Sequence, residues 1–356
     1  MPPPTTQRAL HVHSLHTPLT LTTTHPVPNP GPHQLLLRLT VCALNPHDQK
    51  SRDTGLFIAN SLPAILGNDI AGIVTALGAE AAKFKVGDNV FSYGKLGDGD
   101  TQKGLQEYAL VDEDFAAEVP HGFTEHDGAA LPVNVVAGCN GLFHEVCGLG
   151  IPAPWIEGGR RDAFDYAGTQ ILIIGGGSNC GRLAVQLARL AGIGTIVVVG
   201  GNEAELKGFG ATHVLDRHGG EDVVVERVRD IVGDELVYCY DAVNVPGAHM
   251  LGVKALSKFK KGKLARLVFD PSELTDGTAI VKGAGFEFRN VFGSPQMAPE
   301  LMRPFWERIG GYLIEGKIVP TRYRVERGLD AEKVNELLDR YRDGKAVVQT
   351  HFRISD

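Results

Sequence analysis

A chain of 356 residues is longer than one hydrophobic core ordinarily serves, so the length argues for two domains. With 43% hydrophobic and 22% charged residues and a net charge of -7, the composition is that of a globular protein; it argues against a nucleic-acid backbone or an anionic membrane as main partner and leaves a small molecule. The five cysteines (Cys42, Cys139, Cys147, Cys180 and Cys239) are scattered without a CxxC pair, so neither a disulfide framework nor a zinc knuckle can be read from them, and a reducing compartment fits.

In chain order, the first elements are short strands between proline and glycine turns: "QLLLRLTVCALN", "DIAGIVTALG", "VGDNVFSYG", "LQEYALVDE" and "AAEVP". That spacing predicts an all-β lobe of the partly open barrel type. "HDGAALPVNVVAGCNGLFHEVCGLG" turns to small and apolar residues at helical spacing, which predicts two packed helices, and "IPAPWIEGGRRDAFDYAG" reads as a surface insertion. From residue 169 strand and helix alternate. "TQILIIGG" precedes a helix from Gly181, "GTIVVVGG" precedes "NEAELKGFGA", "THVLD" precedes "EDVVVERVRDIVG", "ELVYCYDAV" precedes "GAHMLGVKALSK", and "KLARLVFD" follows. Near-continuous β-branched runs between helices predict a doubly wound parallel sheet covered on both faces. In the tail, "DAEKVNELLDRYRDG" reads as an amphipathic helix and "KAVVQTHFRI" as a strand returning to the first lobe. No run approaches the roughly 18 apolar residues of a membrane span, and the start lacks a secretory h-region, so a soluble cytoplasmic protein is expected.

The stretch "ILIIGGGSNCGRLAVQLARLAG" joins strand, glycine turn and helix in immediate succession, the arrangement that cradles a phosphate on backbone N–H groups. Gly176 and Gly181 take the first and last glycine positions of the dinucleotide fingerprint, with Ser178 in place of the middle one. The candidate cradle is therefore Gly176, Gly177, Ser178, Asn179, Cys180 and Gly181, with the Ser178 hydroxyl available to a pyrophosphate oxygen; the alternative is a plain tight turn. On the helix, Leu183, Ala184, Leu187, Ala188 and Ala191 make an apolar face, leaving Arg182, Gln186 and Arg189 outside. An NAD enzyme places an acid about 20 residues beyond the fingerprint to hold the ribose. Here "VVVGGNEAELK" puts Val199, Gly200, Gly201 and Asn202 there, which favours NADPH, with Asn202, Lys207 and Arg217 as candidate partners of its 2′-phosphate and Gly200 as a further cofactor-site residue. Taken singly, Asn202, Lys207 and Arg217 each read more as an ordinary surface residue than as a phosphate partner, and Glu203, one step on, is the residue that would admit NADH.

"ALNPHDQKSRDTG", "LPAILGNDIAGIVTALGAEAAKFKVGDNVFSYG", "GLQEYALV", "GAALPVNVVAGCNGLFH", the glycine turn, "GFGATHVLD", "VFGSP" and "GKAVVQ" extend over nearly the whole chain. In order and spacing the chain resembles the medium-chain dehydrogenase/reductases, within them the zinc-independent quinone and enoyl reductases, and most of all the fungal stand-alone enoyl reductases that serve polyketide synthases. The resemblance implies an α/β protein with a partly open β-barrel (GroES-like) catalytic domain over residues 1–134, a Rossmann dinucleotide-binding domain over 135–295 and a return segment, 296–356, that completes the first. Zinc alcohol dehydrogenases draw their metal ligands from a Cys in the first strand-turn region, the His of a Gly-His-Glu segment and a later Cys or Asp. Here that segment reads Gly67, Asn68, Asp69, "VCALNPHD" lacks the Cys-Gly-x-Asp sequence, and the four-cysteine structural lobe is missing. Catalytic zinc needs three protein ligands, and no metal is expected.

Without a Lewis acid, the less demanding reaction is hydride addition from nicotinamide C4 to the β-carbon of an enone, enoyl thioester or quinone, whose developing enolate needs a hydrogen-bond donor and then a proton. By the resemblance, Lys50 at the end of "NPHDQK" is the candidate donor, Tyr93 in "VFSYG" a candidate proton source and Asn45 a further site residue, while Asp48 is structural. A solvated turn lysine and a cleft wall are the alternatives for Lys50 and Tyr93. The resemblance also implies Asn134 beside the nicotinamide, with Ala137 where some relatives carry Ser or Thr, then Ala242 and Val243 of "DAVN" near the nicotinamide ribose. Phe292, Gly293 and Ser294 of "VFGSP" match the loop over the carboxamide; the alternative is a hydrophobic strand end. The expected protein is an NADPH-dependent C=C reductase whose partner is a small molecule or an acyl chain on a synthase's carrier protein, itself a monomer or homodimer. A nucleotide-binding protein without efficient chemistry, suggested by Ser178, Asn179 and Ala137, is the second reading and a zinc alcohol dehydrogenase the third. The loops "FIANSLP", "GKLGDGDTQKG" and "SPQMAPELM" are expected to shape the substrate pocket.

Overall fold

The computed structural model describes residues 3–97, 99–243, 250–267 and 283–355. Strands β1 (Thr6–His11) and β2 (Thr20–Pro26) pair antiparallel as a small sheet of their own. The long β3 (Gln34–Leu44) follows, then α1 (Pro46–Thr54), β4 (Asp69–Leu77), β5 (Asn89–Tyr93), β6 (Tyr108–Asp112) and β7 (Ala116–Glu118). Two helices come next, α2 (Glu125–Ala129) and α3 (Pro132–Phe143), and a short turn of helix, α4 (Gly159–Asp162). The alternating stretch runs β8 (Gln170–Ile174), α5 (Asn179–Ala191), β9 (Thr195–Val199), α6 (Glu203–Phe209), β10 (His213–Leu215), α7 (Glu221–Val232), β11 (Tyr238–Asp241), α8 (Met250–Ala255), β12 (Gly262–Arg266) and β13 (Phe286–Asn290). The tail holds α9 (Pro299–Ile314), β14 (Tyr323–Arg327), α10 (Ala331–Arg342) and β15 (Gln349–Arg353).

Contacts divide the chain into one unit of residues 1–133, 306–315 and 320–356 and another of 134–305 and 316–319. In the first, β14, β15, β3, β4, β5 and β7 lie side by side and β6 pairs with β3. The tail strand β15 is antiparallel to β3, Phe352 opposite Cys42, and parallel to β14. Leu35, Leu37, Leu39, Val74, Val90, Leu337 and Phe352 belong to the apolar core. α1 begins on Pro46, whose missing N–H the first turn does not need, and stops at Gly55, which takes a left-handed conformation with its N–H on the Ser51 carbonyl.

In the second unit all six strands are parallel in the order β10, β9, β8, β11, β12, β13, the doubly wound order of a dinucleotide-binding sheet. "QILII" and "TIVVV" are buried beyond their first residue, which is why they carry no polar alternation. Two expectations are corrected. Gln186, read as an outward residue of α5, is buried, because its amide exchanges hydrogen bonds with the backbone of Val319 at 2.6 and 3.3 Å. The segment read as a surface insertion is inside at its start: Trp155 packs edge-on to Phe143 at 5.0 Å and against Phe305 at 4.8 Å, its Nε1 donating to the Leu301 carbonyl. Of the segments read above, Asp98, Asn244, the helix start Gly247–His249 and the strand end Val268–Asp270 lie outside the described residues. Among the described residues no helix is long and apolar enough to cross a membrane.

Candidate functional site

In the second unit the turn after β8 is built from backbone. Gly175 and Gly176 both donate to the Val199 carbonyl, at 3.0 and 3.2 Å, which pulls the turn against the end of β9. A Cβ on Gly176 would lie 2.3 Å from Val198 Cγ1, and one on Gly181 would lie 2.2 Å from the Gly175 carbonyl, so neither position admits a side chain. Gly177 differs: it is exposed, and the nearest atom to an added Cβ is 3.5 Å away. The outer side of the turn is thus bare main chain leading into the positive end of α5, a surface on which a pyrophosphate fits.

Ser178 plays another part than the sequence reading gave it. Its Oγ accepts the Gly181 N–H at 3.0 Å and donates to the Gly175 carbonyl at 2.8 Å, so the hydroxyl caps the helix and closes the turn. A serine just before a helix is the capping signal, and that rule alone would have found this role. Arg182, read only as exposed, braces the turn: Nη1 donates to the Gly177 carbonyl at 2.6 Å and Nε to Glu205 at 3.0 Å. Asn179 sits on the same turn, its Oδ1 3.4 Å from Arg182 Nη1, and the Cys180 thiol donates to Asn134 Oδ1 at 3.1 Å, which brings these residues together.

At the end of β9, Gly200 and Gly201 have φ of 79° and 98°. Arg217 lies beside Gly200, its Cδ 3.5 Å from where a Cβ would be. Asn202 caps α6 by accepting the Glu205 N–H at 2.9 Å, and Lys207 is paired with Glu203 at 2.7 Å. That ammonium holds the Glu203 carboxyl below its usual range. Arg217 forms no ion pair among the described residues. Ala242 is buried, whereas Val243 is partly exposed and covers the turn, since a Cβ on Gly175 would meet its Cγ1 at 2.6 Å. The loop of Phe292, Gly293 and Ser294 runs along α3, with Gly293 beside Ala137 at 3.8 Å from an added Cβ.

In the first unit, Asn45 and Tyr93 gather around a carboxyl that sequence reasoning did not single out. Asp69 is fully buried; its Oδ2 accepts from Asn45 Nδ2 at 2.6 Å and Gln349 Nε2 at 3.2 Å, and Oδ1 from the Val133 N–H at 2.6 Å. Burial raises its pKa to about 7, with the Asp48 charge adding to the rise and the Asn45 and Val133 hydrogen bonds opposing it. Asp48 accepts the N–H groups of Asn45 at 2.8 Å and Gly67 at 2.9 Å, which orders the start of α1. His47 Nε2 lies 2.9 Å from Asn68 Oδ1, and Asn68 donates to the carbonyls of Gly94 and Lys95. Tyr93 is opposite Asp69 in the β4 to β5 register and is only 1% exposed. Burial, then the nearby Asp69 and Asp48 charges, push its phenol well above the usual range, which suits a wall better than a proton source. Lys50, on α1, is partly exposed, and its ammonium has no ion pair or side-chain hydrogen bond among the described residues.

These residues do not fit a zinc ion. Asn45 and Asn68 are amides engaged in hydrogen bonds, and among the described residues no three His, Cys, Asp or Glu side chains are arranged to hold a metal. A cavity of about 560 Å³ lies in the second unit, lined by Phe143, Ala153, Ile156, Met297 and Leu301 among others. Met297 belongs to a loop expected to shape a pocket, but none of the candidate site residues lines this one.

Residues 31–121 match the Alcohol dehydrogenase GroES-like domain and residues 180–306 the Zinc-binding dehydrogenase family. Over 337 residues the chain is 31% identical to Dehydrogenase orsE of Emericella nidulans, spanning 90% of this chain and 91% of that one. Trans-enoyl reductase himH of Aspergillus japonicus is 27% identical over 90% of each chain, and quinone oxidoreductase of Mus musculus is 28% identical over 59% of this chain and 56% of its own. Among solved structures, an alcohol dehydrogenase superfamily protein from Novosphingobium aromaticivorans superposes with a TM-score of 0.74 at 23% identity, over 98% of this chain and 100% of that one. CurK enoyl reductase does so at 0.73 and 16%, over 98% and 99%.

Proposed function

Because the chain belongs to the medium-chain dehydrogenase/reductase superfamily and to its enoyl and quinone reductase branch, we propose that it is a zinc-independent, NADPH-dependent reductase of activated C=C bonds. The observation that carries the cofactor choice is the end of β9: Arg217 lies against Gly200, and the next acid along the chain, Glu203, is already paired with Lys207. The substrate class, an enoyl thioester, enone or quinone, follows the names of the relatives.

Bound NADPH supplies the hydride. The turn from Gly176 to Gly181 and the start of α5 bind the pyrophosphate, with Asn179 and Cys180 on its rim. Arg217, Asn202 and Gly200 hold the 2′-phosphate, while Lys207, in the last turn of α6, neutralises Glu203. Asn134, Ala242, Val243 and the Phe292–Ser294 loop take the nicotinamide end. Lys50, its ammonium not neutralised by a carboxylate among the described residues, hydrogen-bonds the carbonyl oxygen on which enolate charge develops. Asn45 acts through Asp69 rather than on substrate, and Tyr93 forms a wall. The substrate is a free small molecule or an acyl chain carried by a synthase's carrier protein, and the chain works in the cytoplasm as a monomer or homodimer.

A nucleotide-binding protein without efficient chemistry is the second reading, favoured by the burial of Asn45 and Tyr93 and by the Ser178 hydroxyl being engaged inside the turn. The test is a fluorescence titration with NADPH and NADH, then NADPH consumption with enoyl thioesters, enones and quinones. Tighter binding of NADPH with turnover is expected. Binding without turnover on any of the three classes favours the second reading, and binding of neither nucleotide overturns both.

A further inference from the structure

α3 is an apolar helix, with Val135, Val136, Cys139 and Leu142 buried, yet it carries an asparagine at residue 140 that is 0% exposed. Asparagine is a poor helix former, and an apolar residue would fill this position without a buried amide. The reason for the amide lies across from it. Asn140 Nδ2 donates to the Phe292 carbonyl at 2.8 Å and to the Ser294 carbonyl at 3.1 Å, the two carbonyls that flank Gly293. Both amide hydrogens are thereby used on one loop. The other end of the same amide, Oδ1, is buried with no hydrogen-bond partner among the described residues. Such an orphaned acceptor destabilises the fold, so the side chain is held for what its donors do and not for its packing. The Ser294 N–H on the Phe292 carbonyl at 3.0 Å is a bond within the loop, whereas the two from Asn140 tie it to α3.

We infer that Asn140 is a positioning residue for the nicotinamide end of the cofactor site, setting the height of the Phe292–Ser294 backbone above α3. This rests on the proposed function, in which that backbone meets the carboxamide. Asn140 touches neither cofactor nor substrate. Its effect is expected at the nicotinamide half of the dinucleotide, because both of its side-chain hydrogen bonds go to that loop, whereas the pyrophosphate turn is braced by Ser178 and Arg182.

The experiment compares the full-length protein with Asn140→Leu, which removes both donors and keeps the branched shape, and with Asn140→Ala. Each is titrated with NADPH and with 2′,5′-ADP, which carries adenosine, its 2′-phosphate and one phosphate of the pyrophosphate but no nicotinamide, and melting temperatures are recorded. The expected result is a roughly tenfold weaker NADPH affinity, the scale of lost hydrogen bonds, with 2′,5′-ADP affinity unchanged. Equal weakening of both ligands, or of neither, overturns the inference. Loss of the fold in both variants assigns Asn140 to packing and overturns it as well. A wild-type protein that binds no NADPH overturns the cofactor reading and this inference with it, a result distinct from variants that bind as the wild type does.

Discussion

The glycine turn of the second unit and the Asp69 cluster of the first present their chemistry by opposite means. At the turn the main chain is the surface: side chains are absent where a Cβ would strike Val198 or the Gly175 carbonyl, and what remains is backbone at the start of a helix. Around Asp69 the backbone recedes, and Asn45, Gln349, Asp48, Asn68 and His47 are tied to one another or to nearby main chain. The turn should therefore be intolerant of added atoms at Gly176 and Gly181 and indifferent to its neighbours' charges. The cluster should tolerate shape changes and respond to charge and protonation.

The sharpest way to break that contrast is within the turn itself. Gly176→Val places branched carbon where 2.3 Å separates an added Cβ from Val198, and the expected loss is about 3 kcal/mol of stability or failure to fold. Gly177→Ala, with 3.5 Å to its nearest neighbour, should stay within ~0.5 kcal/mol of wild type in denaturant unfolding. Equal effects at the two positions would show that steric exclusion does not define the turn. Next in size is Lys50→Met, which keeps the length of the side chain and removes its charge. Loss of an enolate donor predicts a kcat lower by about 100-fold with unchanged NADPH affinity and unchanged melting temperature. Undiminished turnover would return Lys50 to the role of a solvated lysine on α1.

The two regions were also unequally legible in the sequence. The turn is written locally: an apolar run, three glycines and a 3.6-residue pattern are contiguous, so β8, α5 and the parallel sheet follow from periodicity. Asp69 had no such signal. Its partners Asn45, Val133 and Gln349 stand 24, 64 and 280 residues away, and only the folded chain brings them together. Arg182, Gln186 and Asn140 escaped for the same reason, each acting on main chain distant in sequence or exposed by turn geometry. Strands β1, β2 and β13 were missed because "TLTTTHP" is largely exposed and "FEFRN" half-buried, which weakens the apolar pattern that marks a strand.

Protonation separates the regions at a smaller scale. Burial raises the Asp69 pKa from 3.8 to about 7, so the folded chain keeps a proton that the unfolded chain loses near pH 4. A group that binds its proton more tightly when folded contributes stability at low pH and loses that contribution as pH rises through the folded value. Wild type should therefore lose of order 2 kcal/mol relative to Asp69→Asn between pH 5 and 7. Denaturant midpoints of the two proteins across that interval give the comparison. Parallel pH profiles would mean that the hydrogen bonds from Asn45, Val133 and Gln349 keep the carboxylate ionised, and the cluster would then be as indifferent to pH as the turn.

The smallest effect is the most specific to the cofactor. Among the candidates near β9, Lys207 is held by Glu203 and the Asn202 side-chain oxygen by the Glu205 N–H, whereas the Arg217 guanidinium has no ion pair among the described residues. If that charge selects a 2′-phosphate, Arg217→Ala should reduce the preference for NADPH over NADH by roughly tenfold, about the scale of one exposed charge-assisted hydrogen bond. NADH affinity should not move, since NADH has no phosphate at that position. The same preference in wild type should shrink as salt rises, because an exposed guanidinium is screened over a Debye length of about 8 Å at physiological ionic strength. A preference that survives both the substitution and high salt would place selection in the backbone of Gly200 and Gly201, making the second phosphate site, like the first, a matter of main chain rather than side chain.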